Sequence, residues 1–261
     1  MDAQLNGVSG IFEDTNRLVS TGMLDFRKNG VYASYILLFI AQKVKNSTGD
    51  PLAMNTDLQR FRETPLVGEP FQYLIVPQFV KPTACAAINA DFPKIAQHGS
   101  FPVGEQKYGA AFGELLDELR GPEMRKAFEG KFGIDLAGRP TMITVRGRCS
   151  PKDGRIHNDS ETKIITVLIY MNPKWEEPGG RLRLLRSADN LDDVIAEVPP
   201  VEGTLLAFLR SDNSFHGHKS FSGERRVIQL NWVTSQSVVD RETKRHRLSA
   251  WTKKLTGAFR S

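Results

Sequence analysis

Between Pro140 and Thr234 the sequence passes from helical to strand periodicity, and this change constrains the fold more than any other feature of the chain. β-rich runs follow one another from Met142 to Arg146, Lys163 to Met171, Arg181 to Leu185, Val194 to Val198, Thr204 to Leu209 and Arg226 to Thr234. Asp153-Gly154, Pro178-Gly179-Gly180 and Glu202-Gly203 supply turn chemistry between them. Six short strands at this spacing, with the helical patterns of the central zone preceding them, predict an all-β jelly-roll core flanked by helices.

The helices are expected upstream. Phe112, Leu115, Leu116 and Leu119 recur at i, i+3, i+4 and i+7, an amphipathic helix. Thr83 to Ala90 reads as another, with Pro82 suited to its start, and Arg125 to Phe132 as a third. Three zones are expected: a helical extension at 1–68 with an apolar helix from Tyr32 to Val44, the β domain with its supporting helices at 69–235, and a basic C-terminal helix at 236–261. This last zone holds seven Lys/Arg against two Asp/Glu and so accounts for the whole net charge of +5. Its Leu248, Trp251, Leu255 and Phe259 recur at helical spacing, which favours docking onto the body over a nucleic-acid contact.

With 40% hydrophobic and 25% charged residues, the chain has the makeup of a globular protein. The longest apolar run, Val31 to Ala41, falls short of the ~20 residues of a membrane span and is interrupted by Ser34. The N-terminal residues lack a secretory pattern and only Cys85 and Cys149 occur, so a reducing cytoplasm is expected.

Of five histidines, His157, His216 and His218 fall in the β zone. His157-Asn158-Asp159 puts an imidazole and a carboxylate on one face of an extended strand, where both can reach one ion. A second imidazole from a distant strand would complete a two-histidine, one-carboxylate set that leaves open positions on Fe(II).

The segment from Ser214 to Lys219 precedes Gly223-Glu224-Arg225-Arg226-Val227-Ile228-Gln229-Leu230-Asn231-Trp232. Here the sequence resembles the prolyl-4-hydroxylase-like group of Fe(II)- and 2-oxoglutarate-dependent oxygenases. That group carries His-Xaa-Asp, then a distal histidine, an arginine nine or ten residues on, and a tryptophan six beyond it. Ile169-Tyr170-Met171-Asn172 and Gly179-Gly180-Arg181-Leu182 also look like family segments, and the resemblance covers roughly 140–235. It implies a double-stranded β-helix in which His157, Asp159 and His216 bind the metal. His216 is preferred to His218 because its interval to Arg226 is ten residues rather than eight. The resemblance further implies that Arg226, with Tyr170, binds the distal carboxylate of 2-oxoglutarate. Strand parity supports the choice of arginine: Arg226 shares a face with Ile228, Leu230 and Trp232, and a guanidinium aimed into an apolar barrel needs an anion.

The implied reaction takes Fe(II), 2-oxoglutarate and O2, hydroxylates an unactivated carbon of a small-molecule or peptidyl substrate, and releases succinate and CO2. A cupin-like, non-catalytic jelly-roll binding protein would not need such a triad. A zinc hydrolase would call for a His-Glu-Xaa-Xaa-His helix or a general-base glutamate, and neither is evident. An oxygenase acting on nucleic acid has only the basic tail in its favour. No membrane partner is expected, and the N-terminal zone could serve as a lid or a homodimer contact.

Overall fold

Residues 54–245 are described by the computed structural model. Among these residues nine strands form two antiparallel sheets. The larger is ordered β1 (Tyr73–Val76), β7 (Leu205–Leu209), β4 (Lys163–Tyr170), β9 (Gly223–Val233), β3 (Thr141–Cys149) and β2 (Phe101–Pro102). The smaller is ordered β6 (Val194–Val198), β5 (Leu182–Leu185) and β8 (His216–His218). This is the jelly roll with flanking helices that the strand pattern implied. The expected runs recur as β3 to β7 and β9 with shifts of a few residues at their ends.

Among the described residues, four α-helices precede the main strands: α1 (Leu58–Glu63), α2 (Pro82–Ala90), α3 (Ala110–Arg120) and α4 (Pro122–Phe132). Pro82 and Pro122 stand in the first turns of α2 and α4, where a missing N–H costs nothing. Gly133 ends α4 in the left-handed conformation, with φ 66°. The predicted stripe of α3 is buried at all four positions.

Both faces of the larger sheet carry buried apolar residues, but the two faces meet different partners. Ile143, Val145, Ile165, Val167, Ile169, Ile228, Leu230 and Trp232 pack with the helices, for example Trp232 on Phe128 with ring centroids 4.7 Å apart. The alternate residues Leu168, Tyr170 and Val227 pack with Leu182, Leu184 and Val198 of the smaller sheet. The interior of the jelly roll is therefore the face of Leu168 and Val227, not that of Ile228 and Trp232.

Leu58 and Phe61 of α1, inside the expected N-terminal extension, join the helix-side core, and Phe61 meets Phe128 at 4.5 Å. The expected helix from Tyr32 to Val44 and the Leu248 to Phe259 stripe lie outside the described residues; 236–245 are helical. Among the described residues no helix is long and apolar enough to cross a membrane.

Candidate metal centre and cosubstrate pocket

His157 and His216 face each other across an antiparallel bridge, exchanging reciprocal backbone hydrogen bonds of 3.0 Å. Directly opposed residues project to the same side, so the two imidazoles meet with ring centroids 4.3 Å apart. Asp159, two residues beyond His157, joins them, and one ligand atom from each of the three lies within 4.8 Å of the others.

Backbone carbonyls fix both imidazoles. Nδ1 of His157 lies 2.9 Å from the Arg155 carbonyl, and Nδ1 of His216 lies 2.9 Å from that of Ser214. An N–H at Nδ1 leaves the Nε2 lone pair free for a metal. Burial lowers the pKa of His216 to about 4, against the pull of Asp159, so the ring is neutral near pH 7.

The carboxylate is held as firmly. Lys163 Nζ donates to Oδ1 of Asp159 at 2.6 Å, and Thr166 Oγ1 donates to Oδ2 at 2.5 Å. Thr166 in turn accepts from Asn231 Nδ2 at 2.8 Å. Burial acts to raise the Asp159 pKa, but Lys163, His216 and these hydrogen bonds outweigh it and hold the group below its ordinary value. Each carboxylate oxygen has two lone pairs, so one donor on each still leaves an electron pair for a cation.

These residues open onto a cavity of about 390 Å³ between the sheets. Arg225, not Arg226, lines it, together with Leu168, His218, Val227 and Gln229. Arg225 is buried and donates from Nε to the Gly180 carbonyl at 2.8 Å, and its guanidinium lies 5.3 Å from the centre of the Tyr170 ring. One terminal nitrogen of Arg225 and the hydroxyl of Tyr170 are buried without a hydrogen-bond partner among the described residues. The unpartnered Arg225 nitrogen, on a side chain of the cavity wall, fits a carboxylate; Tyr170 stands beside it but does not line the cavity.

The expectation for Arg226 is therefore corrected. Arg226 pairs with Glu224 at 2.6 Å, stands over Phe92 at 5.7 Å and lines a separate surface hollow. Arg226 does share the apolar face of β9 with Ile228, Leu230 and Trp232, but that face meets the helices and not the barrel interior; the face with Val227 and Gln229 meets the cavity. Beside the two arginines, β9 also carries one more residue than β3, since Arg146 pairs with Val227 but Arg148 with Glu224.

His218 lines the same cavity but stands apart from the three-residue cluster, its Nδ1 2.9 Å from the Lys219 carbonyl. Lys163, Thr166 and Asn231 were not singled out from sequence. Their signal was available: Thr166 and Asn231 are polar side chains on strands otherwise rich in buried apolar residues.

A jelly roll that gathers two imidazoles and a carboxylate in one cavity, beside an unpartnered buried guanidinium, has the donor set of a facial Fe(II) site next to a site for an anion. Residues 148–234, which hold all of these groups, match the 2OG-Fe(II) oxygenase superfamily. The stretch that carries the site is therefore similar to 2-oxoglutarate- and Fe(II)-dependent dioxygenases, which use Fe(II), 2-oxoglutarate and O2. No curated protein matches the chain. Among solved structures it is similar to a prolyl-4-hydroxylase from Pseudomonas putida (18% identity over 63% of this chain and 94% of that one, TM-score 0.47). A viral collagen prolyl hydroxylase from Paramecium Bursaria Chlorella virus-1 shares 18% identity over 66% and 96% of the two chains, TM-score 0.45. A prolyl 4-hydroxylase from Phytophthora capsici shares 15% over 74% and 70%, TM-score 0.46.

Proposed function

We propose that the protein hydroxylates an unactivated carbon of a small-molecule or peptidyl substrate, with His157, Asp159 and His216 holding the iron and Arg225, assisted by Tyr170, holding the distal carboxylate of 2-oxoglutarate. When bound, Fe(II) with 2-oxoglutarate supplies the oxidising chemistry, in which O2, 2-oxoglutarate and a C–H bond give succinate, CO2 and an alcohol.

The protein's own residues prepare that chemistry. The Arg155 and Ser214 carbonyls orient the imidazoles, while Lys163 and Thr166 fix the carboxylate. Arg225 and Tyr170 together offer a planar, charge-assisted site for an anion. The observation that carries the reading is the coexistence, in one cavity, of the three ligands and the unpartnered Arg225 nitrogen. A cytoplasmic setting is part of the proposal, supported by the free, buried thiols of Cys85 and Cys149.

Anaerobic titration of the metal-free protein with Fe(II) and then 2-oxoglutarate tests it. A visible metal-to-ligand charge-transfer band should appear in the wild type and vanish in His216→Ala. A folded wild type that gives no band would refute the assignment.

A further inference from the structure

We propose that the primary substrate presents an anionic group, a carboxylate or a phosphate, to Lys152 and Arg155 at the rim of the metal-facing cavity. This rests on the proposed function above and names the substrate class for the same site.

The cavity is lined by five Lys/Arg side chains, Arg146, Lys152, Arg155, Lys163 and Arg225, against two carboxylates, Asp153 and Asp159. Both carboxylates are already matched. Arg146 pairs with Asp153 at 2.9 Å, and Lys163 with Asp159 at 2.6 Å. Arg225 is committed to the cosubstrate. Lys152 and Arg155 are exposed and have no ion-pair partner among the described residues. Loading the centre does not remove this surplus, because the two charges of Fe(II) and the two of 2-oxoglutarate cancel.

A lone exposed cation is usually solvated and contributes little. Here two of the same sign stand at the mouth of a cavity whose wall is already cationic, and such a cleft concentrates field for an anion. Their backbone is also pinned to the metal centre. The Arg155 carbonyl accepts from the His157 imidazole, and the Gly154 carbonyl accepts from the His218 N–H at 2.9 Å. Asp153, between Lys152 and Gly154, is tied to the Ser150 N–H at 2.8 Å as well as to Arg146. Gly154 adopts φ 90°, and a Cβ on it would lie 2.4 Å from His218. The two cations therefore hang from a segment held in place on both sides, one end of which is the ligand His157. An anion bound by them would have the rest of its molecule directed at the metal-facing space.

The test uses the full chain, loaded anaerobically with Fe(II) and 2-oxoglutarate, and reads the charge-transfer band. Inorganic phosphate, methyl phosphate, N-acetylalanine and the neutral N-acetylalanine methylamide are titrated in turn. At least one of the anions should perturb the band at millimolar concentration and the amide should not; the stronger of the carboxylate and phosphate arms identifies the group. In a Lys152→Gln, Arg155→Gln double variant the anion response should weaken about tenfold, with the 2-oxoglutarate midpoint unmoved. The inference is overturned if no anion perturbs the band, if the amide acts as strongly as the acids, if anions act only by competing with 2-oxoglutarate, or if the double variant responds as the wild type does. A wild type that forms no band at all defeats the reading of the centre itself, and this inference with it.

Discussion

A buried guanidinium nitrogen with no partner costs free energy, and Arg225 carries one beside the equally unpartnered Tyr170 hydroxyl. A carboxylate entering the cavity would offset that cost. Truncating one partner of a buried, hydrogen-bonded charge pair costs ~2–5 kcal/mol, so Arg225→Ala should raise the 2-oxoglutarate concentration for half-saturation by about a hundredfold or more. Arg226→Ala, which removes a half-exposed pair with Glu224, long contacts to Asn89 and packing on Phe92, all outside the cavity, should change it little. Band-monitored titrations of both variants decide the matter, and the opposite order would return the role to Arg226. The grouping of His157, Asp159 and His216 could be read from His-Xaa-Asp and a distal histidine because extended backbone alone puts His157 and Asp159 on one face. The arginine could not, since choosing between neighbours needs to know which face of β9 meets the helices, and that is a tertiary fact. The hydroxyl of Thr166 belongs to the same scale. Thr166→Val removes the donor on Asp159 with almost no change of shape, and outer hydrogen bonds of this kind are worth about 10–100-fold in metal affinity. Fe(II) affinity should fall by about tenfold with the circular dichroism spectrum intact; wild-type affinity would show that Lys163 alone positions the carboxylate.

Longer elements were legible in sequence and the shortest were not. The α3 stripe and the runs of β4 and β7 each carry several apolar residues, enough to reveal a period. Strand β8 is only His216-Gly217-His218 and has no pattern of its own; it is a strand because β5 pairs with it, Leu182 opposite His218 and Leu184 opposite His216. Glycine lets the 150–158 segment approach β8 closely. A Cβ at Gly217 would lie 2.9 Å from the Gly154 carbonyl, and one at Gly154 would lie 2.4 Å from both Nδ1 and the carbonyl oxygen of His218. Gly154→Ala must also place a side chain at φ 90°. The expected result is a loss of ~1–3 kcal/mol in chemical denaturation, together with weakened Fe(II) binding as His157 is displaced with its segment. Retention of both properties would mean that the segment is not held against β8 as described.

The described residues form a larger sheet with helices on one face and the smaller sheet on the other, and the site lies in the layer between sheets where polar groups are desolvated. Burial lowers the pKa of both His216 and His218 to about 4, from an ordinary value of 6.5; Asp159 works against burial at His216, while Arg225 adds to it at His218. In the unfolded chain both rings take up protons as pH falls through about 6.5, while in the metal-free folded protein they stay neutral down to about 4. The stability these neutral rings contribute is therefore complete above pH 6.5 and is lost progressively as pH falls toward 4. At pH 5 the linkage amounts to about 2 kcal/mol for each histidine, a large part of the margin of an ordinary domain. Asp159 adds to the loss only at lower pH, since its own pKa is held below the ordinary 3.8. Denaturant midpoints of the metal-free protein should thus drop sharply between pH 7 and pH 5. His218→Gln, which cannot take up a proton on unfolding, should remove about half of that drop. Fe(II) should oppose it for His216, because a bound metal favours the neutral imidazole of the folded state. A metal-free protein with equal midpoints at pH 7 and pH 5 would mean that water reaches both imidazoles and that the space between the sheets is far wetter than its packing implies.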